Sequence, residues 1–433
     1  MDRKIIDPRV LKGFRDFLPA EEMTRRGMIA AVENCFRSFG FLPIDTPVLE
    51  YAEILLGKGG GETEKQVYRF TDHGGRDVAM RFDLTVPFAR FVAEHRGVLT
   101  LPFKRYHIAK VWRGENTQKG RYREFTQCDF DIVGSASAAA DFEILLMMRE
   151  SLKAAGAGDS TVHINHRGLF NRFLAGIGAA DHSVTVLRCV DKLAKIGAGG
   201  VRSQLETALD GGQCDRVLEF TGAGSDGAAY ETVLERLCAL AGKAEDTEHL
   251  GRLRSYMKDA GVEDGFILDP SITRGLDYYT GIVYESFLNR LVSIGSVCSG
   301  GRYDNLTALY SKEKICGVGA SIGLDRLQAA LEELSVTASG GGARAAVACT
   351  APDSAGGAQV LAAPLRRAGI ACEVFFEPVK LTQQFILAEK KGIPWVLVPP
   401  HDEKPLLLRN IARRADTEIS GAEAAVPFIL NRQ

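Results

Sequence analysis

From Arg121 to Val133 the chain reads Arg-Tyr-Arg-Glu-Phe-Thr-Gln-Cys-Asp-Phe-Asp-Ile-Val, and from Gln127 to Ile132 its polar and apolar residues alternate strictly. A period of two belongs to a strand with one buried and one polar face. Cys128, Phe130 and Ile132 fall on one side; Arg121, Arg123, Gln127, Asp129 and Asp131 fall on the other. The Tyr106–Arg113 run reads as a partner strand, with the loop Gly114–Gly120 between the two. Guanidinium groups then stand at the loop end of the polar face and carboxylates at the far end. At ~3.4 Å per residue, Arg123 to Asp131 spans roughly 27 Å, which long arginine side chains shorten. Such a face suits an elongated ligand with an anionic end and a cationic or hydrogen-bonding end. The same pattern also fits a solvated strand face with ordinary cross-strand ion pairs, and alternation alone does not choose between them.

The 433 residues imply two or three domains, each with its own core. After Pro19, Ile29, Val32, Phe36 and Phe39 recur at helical spacing up to Gly40, and Phe41–Pro47 reads as extended. A strand-rich region follows to about Gly134, then a helix around Asp141–Ala155. His166–Val262 is almost wholly helical in pattern and reads as an inserted domain. Strand signals return at Ile282–Tyr284, and a further helix is expected from near Ser321. Ser335–Gly342 has linker composition. Beyond it, Ala345–Thr350, Ala371–Phe376 and Trp395–Val398 alternate with two helical stretches, a βαβαβ unit with a partly parallel sheet. Pro364 is expected to kink the first of these helices, and Trp395 to be a core residue. Three prolines in Val398–Pro405 interrupt the pattern, and Leu406–Arg414 reads as helical. The expected organisation is a core domain in two parts, 1–165 and 263–334, around a helical insertion at 166–262. A linker at 335–343 leads to a C-terminal α/β domain at 344–433.

No apolar run approaches the ~20 residues that span a bilayer, and Met1-Asp2-Arg3-Lys4 does not open a secretory signal, so a cytoplasmic protein is expected. A net charge of −2 argues against a broadly basic nucleic-acid protein while leaving room for local Lys/Arg patches. Nine scattered cysteines without a C-x-x-C pair read as reduced, mostly buried thiols. His163-x-x-His166 is not H-E-x-x-H, and no metal site is expected there. The Gly317/Gly319/Gly323 spacing is not that of a dinucleotide loop.

The densest chemistry lies in Thr273-Arg-Gly-Leu-Asp-Tyr-Tyr-Thr-Gly281, which packs a guanidinium, a carboxylate and two phenols into nine residues. An apolar core has no use for such a cluster. This run resembles the histidine-binding motif of histidyl-tRNA synthetases. Trp112-Arg-Gly-Glu-Asn116 with Gly120-Arg-Tyr-Arg-Glu-Phe125 and Gln127–Asp131 resembles motif 2 of class II aminoacyl-tRNA synthetases in its histidyl version. Phe39–Pro47 looks like motif 1, Gly317–Arg326 like motif 3, and Arg81–Pro87 and Ser299–Asp304 also match. These matches stand in the family's order from about Leu11 to Leu331, which makes them far more specific together than any one alone.

The resemblance implies an α+β fold: a class II antiparallel sheet core flanked by helices, with a helical insertion and a C-terminal α/β domain. It implies a homodimer through motif 1, and histidine, ATP and histidine tRNA as substrates, with Mg²⁺ accompanying ATP. By family position, Arg113 would hold the α-phosphate, Arg121 the outer phosphates and Arg326 the triphosphate near the adenine. Arg274 would be the family's additional cation at the α-phosphate, which makes Arg113 and Arg274 the catalytic pair. Asp83, Thr85 and Gln127 match the positions that hold the α-ammonium; Asp131, Tyr278, Tyr279 and Tyr303 match those around the imidazole. Many bacterial members carry glutamates where this chain has Asp83 and Asp131, and the shorter acids are the variant of eukaryote-like members. Asp277 either pairs with Arg274 or caps local backbone.

The C-terminal unit resembles the family's anticodon-binding domain in outline, above all over Lys380–Val398. There Lys380, Lys390, Lys391, Arg409 and Arg413 either contact RNA phosphates or form a solvated basic face. A rival reading is a non-charging paralogue, such as the regulatory subunit of the histidine-biosynthetic phosphoribosyltransferase. Such paralogues typically lose the ATP-binding arginines, the insertion and the C-terminal domain, all of which this chain retains. A synthetase for another amino acid has no obvious use for the Arg274–Gly281 run or for Asp131.

If Arg274 meets charge that develops only in the transition state, Arg274→Ala should slow adenylate formation by about a hundredfold with little change in histidine affinity. Single-turnover adenylation kinetics check this, and an unchanged rate removes the assignment.

Overall fold

The polar–apolar alternation becomes the centre of a sheet. In a computed structural model, which describes residues 6–57, 62–273, 279–305, 307–336, 342–401 and 404–431, a helix at Pro19–Ser38 is followed by a short strand β1 (Leu42–Pro43). A small antiparallel sheet comes next, built from β2 (Leu49–Tyr51), β3 (Arg69–Thr71) and β4 (Asp77–Met80) in the order β2-β4-β3. Then β5 (Phe103–Trp112) and β6 (Glu124–Val133) pair antiparallel along their whole length. The large sheet is completed by β7 (Ser160–His166), β8 (Phe266–Leu268), β9 (Ile282–Leu288), β10 (Cys298–Tyr303) and β11 (Gly317–Gly323). Its order is β1-β5-β6-β11-β10-β9-β7-β8, antiparallel except for the parallel pairs β1–β5 and β7–β8 at its edges. This is the α+β architecture expected.

The two faces of β6 separate as the pattern requires. Cys128, Phe130 and Ile132 are buried in one hydrophobic core with Val318, Ala320 and Ile322 of β11 and with Ile144, Leu145, Met147, Met148 and Leu152 of the Ala138–Ala154 helix. That helix starts where the Ser137 hydroxyl accepts the Ala139 N–H at 3.2 Å, a side-chain cap for an otherwise orphan donor. The other face is organised in rows across three strands. Arg105, Asp131 and Gly319 form one row, His107, Asp129 and Ser321 the next, and Ala109, Gln127 and Gly323 a third.

Glycine is required where side chains or backbones crowd that layer. A Cβ on Gly319 would lie 2.0 Å from Asp131 Oδ1, one on Gly317 2.4 Å from the Tyr303 ring, and one on Gly300 2.1 Å from the Gly319 carbonyl oxygen.

Between β7 and β8 the chain forms six α-helices, from Arg167–Gly176 to Glu245–Asp259. Since β7 and β8 pair with each other, this helical run leaves and rejoins the sheet at adjacent places. Within it Phe173 stacks on Phe220, and Phe170 packs edge-on against Phe220. His163 pairs with Asp269 through Nδ1 at 2.7 Å, and the His166 ring accepts the Leu169 N–H at the first turn of Arg167–Gly176. The helix expected from Ser321 starts at Leu324, because Ser321 still belongs to the ladder opposite Asp129.

By contacts, the described residues fall into two units, one within Met1–Asp16 and Arg25–Ala338, the other within Phe17–Thr24 and Ser339–Gln433. In the second, β12 (Ala345–Val347), β13 (Cys372–Val374) and β14 (Trp395–Val398) are parallel, and helices span Ala355–Arg367 and Leu381–Lys390. Trp395 is a core residue, and Pro364 lies within the first helix, which continues to Arg367. The Leu406–Arg414 segment corrects the sequence expectation. It is not helical: β15 (Leu407–Asn410) and β16 (Ala415–Glu418) extend the sheet antiparallel beside β14. Leu406 and Leu408 are buried while Arg409 reaches Asp416 across the strands at 2.9 Å, a strand period that the neighbouring prolines obscured. The prolines themselves fall in the connection before β15.

Replacing Gly300 by Ala should therefore destabilise the first unit by about 3 kcal/mol, because a carbonyl and not a flexible side chain must move. Gly27→Ala is the control. Nothing lies within 4 Å of its added Cβ, and helix propensity alone should stabilise by about 0.5–1 kcal/mol. Chemical denaturation of the two variants reads both outcomes.

Candidate active site

The polar rows of the large sheet border a cavity of about 300 Å³. Its lining includes Gln127, Ser321 and Gly323 from β6 and β11, Ser299 and Gly300 from β10, and Tyr284 and Glu285 from β9. Asp83 and Thr85 enter at the start of the Thr85–Glu94 helix, and Arg113 and Arg121 come from the β5–β6 connection. Asp325 and Arg326 enter from the first turn of the Leu324–Glu333 helix.

Each arginine is anchored by a neighbouring acceptor, backbone carbonyls for Arg113 and Arg326 and a carboxylate for Arg121. Arg113 Nε donates to the Phe82 carbonyl at 2.9 Å, and its guanidinium lies 5.1 Å over the Phe125 ring centroid. Arg326 Nη1 donates to the Ser296 carbonyl at 2.7 Å, and Arg121 Nη1 reaches Glu115 Oε2 at 3.2 Å. Arginine suits such walls because it stays charged and offers several donors in a fixed plane. Arg121 and Arg123 are not strand residues as the alternation suggested. The ladder ends near Arg113, whose N–H donates to the Arg123 carbonyl at 2.9 Å. Beyond it, Gln118 and Arg121 exchange both backbone hydrogen bonds around Gly120, which has φ +70°. A tight turn with a left-handed residue takes glycine, and it carries Arg121 into the cavity wall. Arg123 turns away: its N–H donates to the Gly13 carbonyl and its Nε to the Glu115 carbonyl.

Asp325 ties several segments together. It accepts the Thr126 N–H at 2.7 Å and pairs with Arg15 at 2.6 Å and Arg25 at 3.3 Å. The Arg15 guanidinium also covers the Tyr122 ring, 3.6 Å from its centroid.

The acidic wall is deeply buried. Asp83 Oδ1 accepts the Val86 N–H at 3.0 Å, and its Oδ2 has no hydrogen-bond partner. Burial raises its pKa to about 6, against the Val86 and Thr85 N–H groups and the positive charges of Arg113 and Arg105, which lower it. Asp129 is raised to about 7, chiefly by burial, with Arg105 pulling it down and the neighbouring Asp131 pushing it up. Asp131 and Tyr303 lie outside the cavity lining. The Tyr303 hydroxyl donates to Asp131 Oδ1 at 2.6 Å, and Arg105 forms an ion pair with Oδ2 at 2.7 Å. Arg105 is fully buried and stacks 4.1 Å over the Phe88 ring. Burial again pushes Asp131 upward, with Arg105 and the Tyr303 hydroxyl opposing it.

The structure thus brings Asp83, Thr85, Arg113, Arg121, Gln127, Tyr279 and Arg326 to one cavity and sets Asp131 and Tyr303 beside it, paired with each other. Arg274, Asp277 and Tyr278 lie outside the described residues. The flanks of that segment are anchored: Asn165 Nδ2 donates to the Ile272 carbonyl and Arg167 Nη1 to that of Thr273, while the Thr280 hydroxyl donates to Asp304 at 2.7 Å. The sequence reading missed Arg105, Ser321, Asp325 and Glu115. Arg105 was within reach, since it continues the polar face of β5 one residue before the strand was expected to start. Asp325 adjoins a predicted site residue and nothing else marks it.

A largely antiparallel sheet with one face in the core and the other bordering a cavity that takes two arginines from its long hairpin, a third from the helix after β11 and the buried Asp83 from the start of another helix is the catalytic layer of a class II aminoacyl-tRNA synthetase. The family model described as histidyl-tRNA synthetase matches residues 13–327. The chain is 50% identical to the histidine–tRNA ligase of Treponema denticola, with 97% of each chain aligned. It is 47% identical to that of Rhodopirellula baltica over 92% of this chain and 91% of the other. The crystal structure of histidyl-tRNA synthetase from Nostoc sp. PCC 7120 superposes with a TM-score of 0.87 at 29% identity, covering 99% of this chain and all of that one. The chain belongs to the histidyl-tRNA synthetase family.

Burial of Asp83 sets up a conflict between stability and binding. Its folded pKa exceeds the unfolded value, 3.8 against about 6, so the folded state holds the proton more tightly. The destabilisation is absent below the unfolded value, grows as pH rises between the two, and is complete above the folded value. A shift of this size corresponds to about 3 kcal/mol. Asp83→Asn should therefore raise thermal stability at pH 7.5, with a gain that shrinks as pH falls from 6 to 4. Melting temperatures of the ligand-free proteins across that range check it. A gain independent of pH would contradict the assignment of cause.

Proposed function

We propose that the chain is a histidine–tRNA ligase, an enzyme that activates histidine with ATP and transfers it to the 3′ end of histidine tRNA. The observation that carries the reading is the single cavity lined by three arginines and by the buried Asp83 and Gln127, each with a side-chain oxygen lacking a hydrogen-bond partner. An anionic triphosphate and a cationic amino acid are what such a cavity would hold side by side. The name shared by relatives about half identical along nearly the whole chain supports the same substrate.

In the first step an oxygen of the histidine carboxylate forms a bond to the α-phosphorus of ATP, and the bond from that phosphorus to the bridging oxygen breaks, releasing pyrophosphate. The protein's task is to position the reactants and neutralise charge; no covalent nucleophile is needed. Arg113 is assigned to the α-phosphate with Arg274, Arg121 to the outer phosphates and Arg326 to the triphosphate near the adenine. Mg²⁺ enters with ATP as part of that substrate. Asp83, Thr85 and Gln127 take the α-ammonium. Asp131 with Tyr278, Tyr279 and Tyr303 takes the imidazole. In the second step the terminal ribose hydroxyl of the tRNA attacks the histidyl carbonyl and AMP leaves.

The working organisation is a catalytic domain in two parts, 1–165 and 263–334, around the 166–262 insertion, with 344–433 as the anticodon-binding domain. In that last unit Arg409 is engaged with Asp416 and lies 4.4 Å over the Phe385 ring, and Lys391 pairs with Glu373. This leaves Lys380, Lys390 and Arg413 as the stronger choices for phosphate contacts. A homodimer through the motif 1 region is supported by Leu42, Leu49 and Tyr51, which are about half exposed. Among the described residues no helix is long and apolar enough to cross a membrane, and we place the enzyme in the cytoplasm, with its tRNA substrate.

The decisive assay is histidine-dependent ATP–pyrophosphate exchange followed by charging of histidine tRNA. Both activities are expected. Exchange without charging would favour the non-charging paralogue, and neither activity would overturn the reading.

A further inference from the structure

The connection between β5 and β6 carries Arg113 and Arg121, yet the ladder of those strands stops at Trp112 and Glu124. Backbone beyond the end of a ladder is free to move unless other groups hold it. On one arm of this loop the Gly114 N–H donates to the Gln66 carbonyl at 2.7 Å. The other arm is held by the segment before the Pro19–Ser38 helix, where the Gly13 carbonyl accepts the Arg123 N–H at 2.9 Å. Gly13 has φ +89°, and a Cβ there would lie 2.7 Å from Arg123 Cγ and 2.9 Å from Thr117 Cγ2. The approach is therefore open to glycine alone. Next to it, Phe14 meets the Tyr68 ring edge-on with 6.3 Å between centroids.

Arg15 carries this contact to a second element. Its guanidinium covers the ring of Tyr122, the residue after Arg121, 3.6 Å from the centroid. Its Nη2 donates at 2.6 Å to Asp325 Oδ1, on the residue before Arg326. One planar cation thus bridges the neighbours of two arginines assigned to the triphosphate, one on the loop and one on the helix after β11. The two elements press together at the same place, since a Cβ on Gly120 would lie 3.3 Å from Arg326 Cα. A guanidinium can stack by its face while it donates by its edge. Arg15 itself does not line the cavity.

We propose that Arg15, seated by Gly13, is a positioning residue for ATP: it fixes the spacing between Arg121 and Arg326 so that both reach one triphosphate. This deepens the functional reading and rests on it for the identity of the anion. The Arg121 side chain bonds Glu115 of its own loop, so its place over the sheet follows the loop, and that arm of the loop follows Gly13 and Arg15. Removing Arg15 leaves no bare buried charge, because Asp325 keeps the Thr126 N–H and Arg25. The effect should fall on the ligand and not on the fold.

The test separates the triphosphate from the rest of the substrates. Affinities of ATP with Mg²⁺, of AMP and of histidine are measured by titration calorimetry on the full chain. Arg15→Ala is the deciding variant. Gly13→Ala, which displaces the segment without removing a charge, takes its place if Arg15→Ala does not fold. ATP should weaken about tenfold, while AMP and histidine change less than twofold. Equal weakening of all three would show general damage to the cavity and overturn the inference. Wild-type protein that binds no ATP would overturn the functional reading and the inference together. Wild-type binding of ATP with unchanged ATP affinity in the deciding variant would overturn the inference alone.

Discussion

Carboxylates removed from water must be neutralised or they titrate, and among the described residues Asp83, Asp129 and Asp131 are buried with the wholly buried Arg105 as a shared positive neighbour. The imbalance organises the rest. Arg105 gives its closest pairing to Asp131, and the Tyr303 hydroxyl completes that group. Asp83 is left with an oxygen that nothing in the described chain satisfies. A site that keeps one acid short of a partner is poised for a cation, and the three arginines of the same cavity are poised for an anion. Burial of that acid is a standing cost in stability to the ligand-free protein.

The sheet makes that arrangement possible by keeping two incompatible environments one residue apart. Along β6 every odd-numbered residue from 127 to 131 faces the polar rows and every even-numbered one from 128 to 132 joins the core. A slip of register by one residue would bury the acids in hydrocarbon and expose the core side chains. The paired ladders on both sides of β6 and the helix Ala138–Ala154 behind it hold the register against that slip.

Much of this was legible beforehand because period-two alternation is a strong local signal and the chain's motifs stand in a fixed order. What was not legible depended on other strands or on backbone geometry. Arg121 was expected on a strand, but its position is set by a turn that only the Gln118–Arg121 bridge reveals. Ser321 is unremarkable in sequence and acquires meaning only from lying opposite Asp129. Near the C-terminus, three prolines suggested a broken strand and a helix, whereas the sheet resumes just after them with Leu406 and Leu408 buried. Local propensity was outweighed there by the open edge of β14, whose hydrogen-bonding groups β15 satisfies. The fold class needed only the pattern of elements, while the row of His107, Asp129 and Ser321 across three strands needed coordinates.

The glycines of β11 carry a consequence for how such a pocket can change over evolutionary time. Gly317 and Gly319 have no room for even a methyl group, because the Tyr303 ring and the Asp131 carboxylate occupy that space. A mutation at either glycine that adds a side chain must evict one of those groups. A side chain at position 317 or 319 therefore demands a matching change on the neighbouring strand, and single-step paths through those two positions are sterically closed.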